Sequence, residues 1–223
     1  LVKNISFNVN LGKEEEKNLI FVLGCGMSDE ENIALIKKYT DYNTCKKELR
    51  SVKEYWNKTL GTIQVDTPDK SLDYVINGWY LYQALSSRIM AKAGFYQVSG
   101  AFGYRDQLQD AMNIVMVNPE YTKKQILRNA KHQFEEGDVL HWWHEKNHFG
   151  LRSRYKDDFL WLVYATTHYV ENTGDYSILT EKVPYVVGDV LSDYEHEKGM
   201  VFSYSEKEDT LLEHCLKSLK LSM

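Results

Sequence analysis

Cysteine is scarce in this 223-residue sequence. Cys25, Cys45 and Cys215 lie far apart and are odd in number, which argues against a disulfide framework or a CxxC metal knuckle and fits a reducing cytoplasm. A basic excess is lacking too. The formal charge is -5 with acids and bases interspersed, so no cationic face is expected to neutralise phosphates, and nucleic acid is not an expected partner. No apolar run approaches the ~20 residues a bilayer span needs, and no basic stretch followed by an apolar one opens the chain. The segment therefore reads as soluble, with no membrane contact of its own. His141 and His144 have the i, i+3 spacing of paired ligands but lack an HExxH motif or an evident third ligand, so neither a metal nor another cofactor is expected. No tetratricopeptide or ankyrin repeat is present.

Aromatic residues, by contrast, are plentiful: 16 Tyr and 5 Trp. They offer flat apolar faces with polar tips, as sugar rings require, although cores use them equally well. Residues 2–11 alternate through Val2, Ile5, Phe7, Val9 and Leu11, and Leu19–Leu23 follow a turn, predicting a β-hairpin. A hairpin is marginal alone, so it reads as the remnant of a larger sheet, with Leu1 rather than methionine at its start and upstream sequence expected. Ser28 with Glu31 forms a capping box before a helix to about Lys38. Leu49, Val52 and Trp56 mark a second helix over roughly 44–59. Beyond Pro68 the pattern becomes helix, short loop, helix, over about 70–93, 105–117, 121–135, 157–173, 176–185 and 208–219. Stacked helical hairpins of this length suit a bundle, a solenoid or an α/α toroid.

Two segments carry candidate chemistry. Arg105, Asp106, Gln109 and Asp110 crowd the first two turns of one predicted helix, with Asp106 and Asp110 sharing a face. Two carboxylates four apart repel unless the helix dipole or an outside donor compensates them. A sugar supplies such donors; an ordinary cap with solvated charges explains the pattern equally well. The second segment runs from His141–Trp142–Trp143–His144, here read as a loop, through Arg152 and Arg154 to Asp157–Asp158 at the head of an apolar helix. Capping explains one aspartate more easily than two. Adjacent carboxylates disfavour simultaneous ionisation, a familiar way of keeping one acid protonated.

Taken together, Arg105–Asp106–Gln107–Leu108–Gln109–Asp110, the Trp-Trp-His loop and the run Asp157–Asp158–Phe159–Leu160–Trp161–Leu162 resemble glycoside hydrolase family 94, the cellobiose, cellodextrin and chitobiose phosphorylases. Tyr169–Asp175 and Val183–Tyr185 match as well. The resemblance is closest to the β-1,2-glucan branch, including the phosphorylase-like domain of cyclic β-1,2-glucan synthases. It implies a mostly α chain: the end of an N-terminal β-sandwich over 1–27, a helical linker over 28–67, and the first half of an (α/α)6 toroid over 68–223. It also implies inverting phosphorolysis of a β-linked glucan, with inorganic phosphate as co-substrate. Phosphate replaces the base-activated water of an inverting hydrolase, so one protein carboxyl suffices as acid.

By that resemblance Asp157 is the acid, Asp158 positions it or binds sugar, and Arg105 and Asp106 hold the donor sugar. Trp142 and Arg152 are expected near the same pocket, and Arg88 on the sugar or phosphate side. Lys156 departs from the serine usual in relatives and is expected to point outward. The phosphate-binding loops of the family match no segment here. An incomplete, self-associating enzyme is therefore expected, with a hydrolase on the same toroid or a non-catalytic carbohydrate-binding fragment as alternatives.

Overall fold

The computed structural model describes residues 6–24, 26, 28–92 and 100–223. The chain divides into two units, Leu1–Thr59 and Leu60–Met223. In the first, helix α1 (Asp29–Tyr39) starts where the Ser28 hydroxyl accepts from the Glu31 amide, with acidic residues in its first turn and Lys37 and Lys38 in its last, as the helix dipole favours. Helix α2 (Tyr42–Leu60) follows, and neither helix has a fully buried residue. The hairpin expected at 2–23 shows no ladder among its described residues. Residues 2–5 of it lie outside the described set, and residues 6–24 contain a turn but no strand. Phe7 and Phe21 do meet edge to face at 5.5 Å, yet Leu11, Leu19 and Leu23 stay exposed. With no sheet face to cover those side chains, pairing has little to gain.

The second unit opens on a helical stretch that the Asp69 carboxylate caps by accepting from Ser71 and Leu72 amides. It comprises α3 (Lys70–Tyr74), a π turn (Val75–Trp79), α4 (Tyr80–Gln83) and a second π turn (Ala84–Met90). The expected end at residue 93 lies outside the described residues. Helices α5 (Tyr104–Met112), α6 (Pro119–Ala130), α7 (Lys156–Thr173) and α8 (Leu211–Ser222) agree with the predicted helices to within a few residues, except that α5 and α6 each end about five residues early. Asn118 and Pro119 start α6; Gly174, at φ 70°, closes α7 in the left-handed conformation that favours glycine. A capping box of Thr210 and Glu213 starts α8.

Two antiparallel sheets accompany the helices. One has the order β1 (Phe102–Gly103), β2 (Leu140–His144), β3 (Phe149–Ser153), β5 (Glu197–Val201); the other pairs β4 (Lys182–Val187) with β6 (Ser203–Thr210). The segment read as a loop over 141–154 is thus a hairpin. The helix expected over 176–185 is instead a 3-10 turn (Tyr176–Thr180) leading into β4. Val183, Tyr185 and Val186 are buried there and Pro184 has no amide hydrogen to give a helix. A single core joins helices and sheets through Tyr104, Leu108, Ile126, Phe134, Leu140, Trp143, Phe159, Leu162 and Leu211. Helix makes up about half of the chain. Among the described residues no helix is long and apolar enough to cross a membrane.

Candidate active site

The starts of α5 and α7 come together. Gly103, extended at φ -95° and ψ 135°, turns the short strand β1 directly into α5, so Arg105 and Asp106 occupy its first turn. A buried brace fixes that turn: Asn129 on α6 donates from Nδ2 to the Tyr104 carbonyl at 2.7 Å and accepts from Gln125 at 2.7 Å. On α7, Asp157 and Asp158 occupy the first turn. Between them Arg105 donates from Nη1 to Oδ2 of Asp157 at 3.1 Å, and its Nε lies 3.7 Å from Asp106.

The two aspartates of α7 face different surroundings. The Asp157 side chain is 56% exposed; that of Asp158 is 1% exposed. Asp158 accepts from Nδ1 of His141 at 2.7 Å, and this bond raises the His141 pKa against the opposing effect of burial. The ring of His141 lies 4.9 Å from that of Tyr155, the residue preceding α7. Three chain segments thus meet at one place: 105–106 from α5, 141 from β2 and 157–158 from α7. Two helix N-termini give it a positive field that suits carboxylates and polar ligands.

Other expected residues fall around or away from this cluster. Arg88 places Nε 3.0 Å from Oδ2 of Asp110, one turn along α5 from Asp106. The carboxylates that share a helix face are thereby compensated separately, Asp106 by Arg105 and Asp110 by Arg88. Burial nonetheless pushes the Asp110 pKa up. Trp142 is half-buried against His144 and Phe149. Arg152, 2% exposed, is directed elsewhere: it grips Asp138 at 2.6 and 2.7 Å, Glu136 at 3.1 Å and the Asp189 carbonyl at 3.1 Å, and lies over the Phe134 ring. Its donors are committed to holding the β3 hairpin to the chain around it. Lys156 is exposed.

His141 is the side chain of this cluster that the sequence pattern does not disclose. Its spacing from His144 suggests a metal, but its partner is a carboxylate 17 residues on, reached only because β2 packs beside the α7 start. Trp143, next to it, is fully buried and stacks on His132 at 3.9 Å and on Phe102 at 5.4 Å. This packing fixes β2, and with it His141, against the helices.

Several known proteins are similar to this chain. Cyclic beta-(1,2)-glucan synthase NdvB of Rhizobium meliloti is 37% identical over 208 residues, covering 93% of this chain and 7% of that protein. An N,N'-diacetylchitobiose phosphorylase of Vibrio proteolyticus is 30% identical over 83% of this chain and 26% of its own length. A cellobionic acid phosphorylase of Neurospora crassa is 26% identical over 86% of this chain and 24% of its own. The chain therefore spans about a quarter or less of the length of these relatives. Residues 55–223 match the family described as Glycosyl hydrolase 94 superfamily, catalytic domain. With three quarters of its residues in that match, the chain belongs to this glycoside phosphorylase family.

Proposed function

We propose that this chain supplies the proton donor and part of the donor-sugar site of an inverting phosphorylase for β-linked glucans, with Asp157 as the acid. The carrying observation is the unequal aspartate pair: an exposed Asp157 carboxylate that a substrate can reach, within reach of Arg105, beside a sealed Asp158 held by His141. In the reaction a phosphate oxygen forms a bond to the anomeric carbon from the face opposite the leaving group. The glycosidic C–O bond breaks with its electron pair on oxygen, Asp157 protonates that oxygen, and an α-sugar 1-phosphate is released.

Arg105 and Asp106 are assigned to the hydroxyls of the donor sugar, an arrangement that needs Arg105 to share its donors between Asp157 and the ligand. Arg88 is assigned to the same subsite through Asp110, which it holds. The helices beyond Pro68 are assigned to an α/α toroid and the segment before them to a linker following a β-sandwich. The family resemblance puts the phosphate-holding loops outside these residues, so the chain is expected to bind oligosaccharide more readily than it turns it over. Inorganic phosphate is the co-substrate, and no metal or organic cofactor enters the reaction.

The test is release of α-glucose 1-phosphate from a β-1,2-linked gluco-oligosaccharide with inorganic phosphate, in the chain and in a longer polypeptide that carries it. Asp157→Asn removes the proton donor and should lower turnover by roughly 10²–10⁴-fold with binding retained. Undiminished turnover in that variant would place the acid elsewhere. Free glucose formed without phosphate would mean a hydrolase, which needs a second carboxylate ~6.5–9.5 Å from the first.

A further inference from the structure

The pairing of β2 with β3 runs from Leu140 opposite Arg152 directly to Trp142 opposite Leu151, so His141 is the extra residue of a bulge. A bulge interrupts the strand's alternation and re-aims the side chain at that position. Re-aimed, His141 brings Nδ1 to 2.7 Å from Oδ2 of Asp158. An ionised carboxylate only accepts hydrogen bonds, so Nδ1 carries the hydrogen. The two ring nitrogens diverge. With Nδ1 on a carboxylate that is 1% exposed, the divergent Nε2 points away from Asp158, and the imidazole as a whole is 33% exposed.

We propose that His141 is itself a sugar-binding residue, its ring held by Asp158 so that Nε2 presents a hydrogen to an oxygen of the glucosyl unit beside Arg105, Asp106 and Asp157. This rests on the glycoside-site reading above. The charged groups that act on His141 are the hydrogen-bonded Asp158, with Arg105 and Asp106 further off; Tyr155 packs against its ring. Asp158 and Asp106 favour the protonated imidazole, whereas Arg105 and burial oppose it, and the balance raises its pKa. Below that pKa Nε2 is a charged donor. Above it Nε2 becomes an acceptor, so affinity for sugar falls as pH rises through the His141 titration.

Two measurements on the full chain test this. In the first, the imidazole resonances of His141 are titrated by NMR in the wild type and in Asp158→Asn. Titration above the ordinary histidine value, returning toward it in the variant, supports the couple; identical titration in both overturns it. In the second, binding of a linear β-1,2-linked gluco-oligosaccharide is measured against pH by calorimetry. His141→Gln keeps a donor for Asp158 but offers no ring nitrogen to the ligand. It should bind roughly ten-fold or more weakly at acidic pH, as loss of a charge-assisted hydrogen bond implies, and lose the wild-type pH dependence. Should His141→Gln not fold, the wild-type profile decides: a fall in affinity tracking the NMR titration supports the proposal, and a flat profile overturns it. Equal affinity of the two proteins also overturns it while leaving the glycoside site intact. A wild type that binds no oligosaccharide overturns the glycoside-site reading itself.

Discussion

With 44% and 56% of their side chains exposed, Arg105 and Asp157 meet in a largely aqueous setting, where an ion pair contributes little to stability. Replacing Arg105 by alanine should therefore leave the thermal midpoint nearly unchanged while weakening oligosaccharide binding. A large drop in the midpoint of the unliganded chain would count against a ligand-binding role. Arg152 is the opposite case: its side chain is 2% exposed and that of its partner Asp138 18%, so its removal leaves the Asp138 carboxylate facing a buried void. The sequence places Arg105 at a helix start and Arg152 in a connecting segment; only the fold shows that Arg152 is sealed inside a hairpin and bound to other acids.

A third residue gives a pH prediction. His132 is 1% exposed, donates from Nδ1 to the Arg128 carbonyl at 2.7 Å and accepts at Nε2 from the Tyr204 hydroxyl at 2.9 Å. Burial pushes its pKa down to about 3 and that of Tyr204 up to about 12. The folded state thus binds fewer protons than the unfolded chain between about pH 3 and the ordinary histidine value. This contribution is complete above about pH 6.5 and is lost as pH falls toward 3, with a magnitude of a few kcal/mol at most. His141, whose pKa is raised, acts with the opposite sign. Urea midpoints at pH 7 and pH 4.5 should differ less in His132→Gln than in the wild type. Some acid loss should remain in the variant, since burial also lowers the His214 pKa and the depressed Glu213 begins to lose its contribution near pH 4.5.

At the scale of elements, the β2–β3 hairpin delivers His141, and its closeness to neighbouring chain depends on Gly150. A Cβ there would lie 2.9 Å from the Trp142 carbonyl oxygen, 3.0 Å from Leu140 Cδ1 and 3.1 Å from Trp143 Cβ. The first of these is backbone and cannot rotate aside. Gly150→Ala should cost about 1–3 kcal/mol of stability, as overpacking does, and should disturb the His141 resonance; an unchanged spectrum and denaturation midpoint would show the hairpin to be more pliable. Helices are the elements most legible in the sequence, because caps and an apolar face are local signals: Ser28, Asp69, Thr210 and Gly174 all do what their types suggest. The strands are not. β2 reads His-Trp-Trp-His with a bulge in place of alternation, and β5 reaches β3 from more than 40 residues away. Residues 6–11 alternate cleanly yet form no ladder, since period alone supplies no partner. Residue types single out Arg105, Asp106, Asp157 and Asp158 as candidates, whereas His141 joins them only through a tertiary contact with Asp158 that no local signal marks.

On the scale of the molecule, the second unit carries one helix whose two faces differ sharply in burial but not in apolar character. On α8, Leu211, His214, Cys215 and Ser218 are buried. Leu212, Leu216, Leu219 and Met223, spaced by four, three and four residues, form a stripe down the other face that stays 40% or more exposed. Isolated apolar side chains on a surface are ordinary, but a continuous stripe marks a surface that gains free energy from being covered. The purified chain is therefore expected to bind a hydrophobic dye and to show an apparent mass that rises with concentration on size exclusion with light scattering. Leu212→Lys, Leu216→Glu and Leu219→Lys together should abolish both behaviours. They should leave the fold intact, because these side chains face solvent and all three replacements are good helix formers. A wild-type chain that stays monomeric and dye-silent at every concentration would show that the stripe does not drive association.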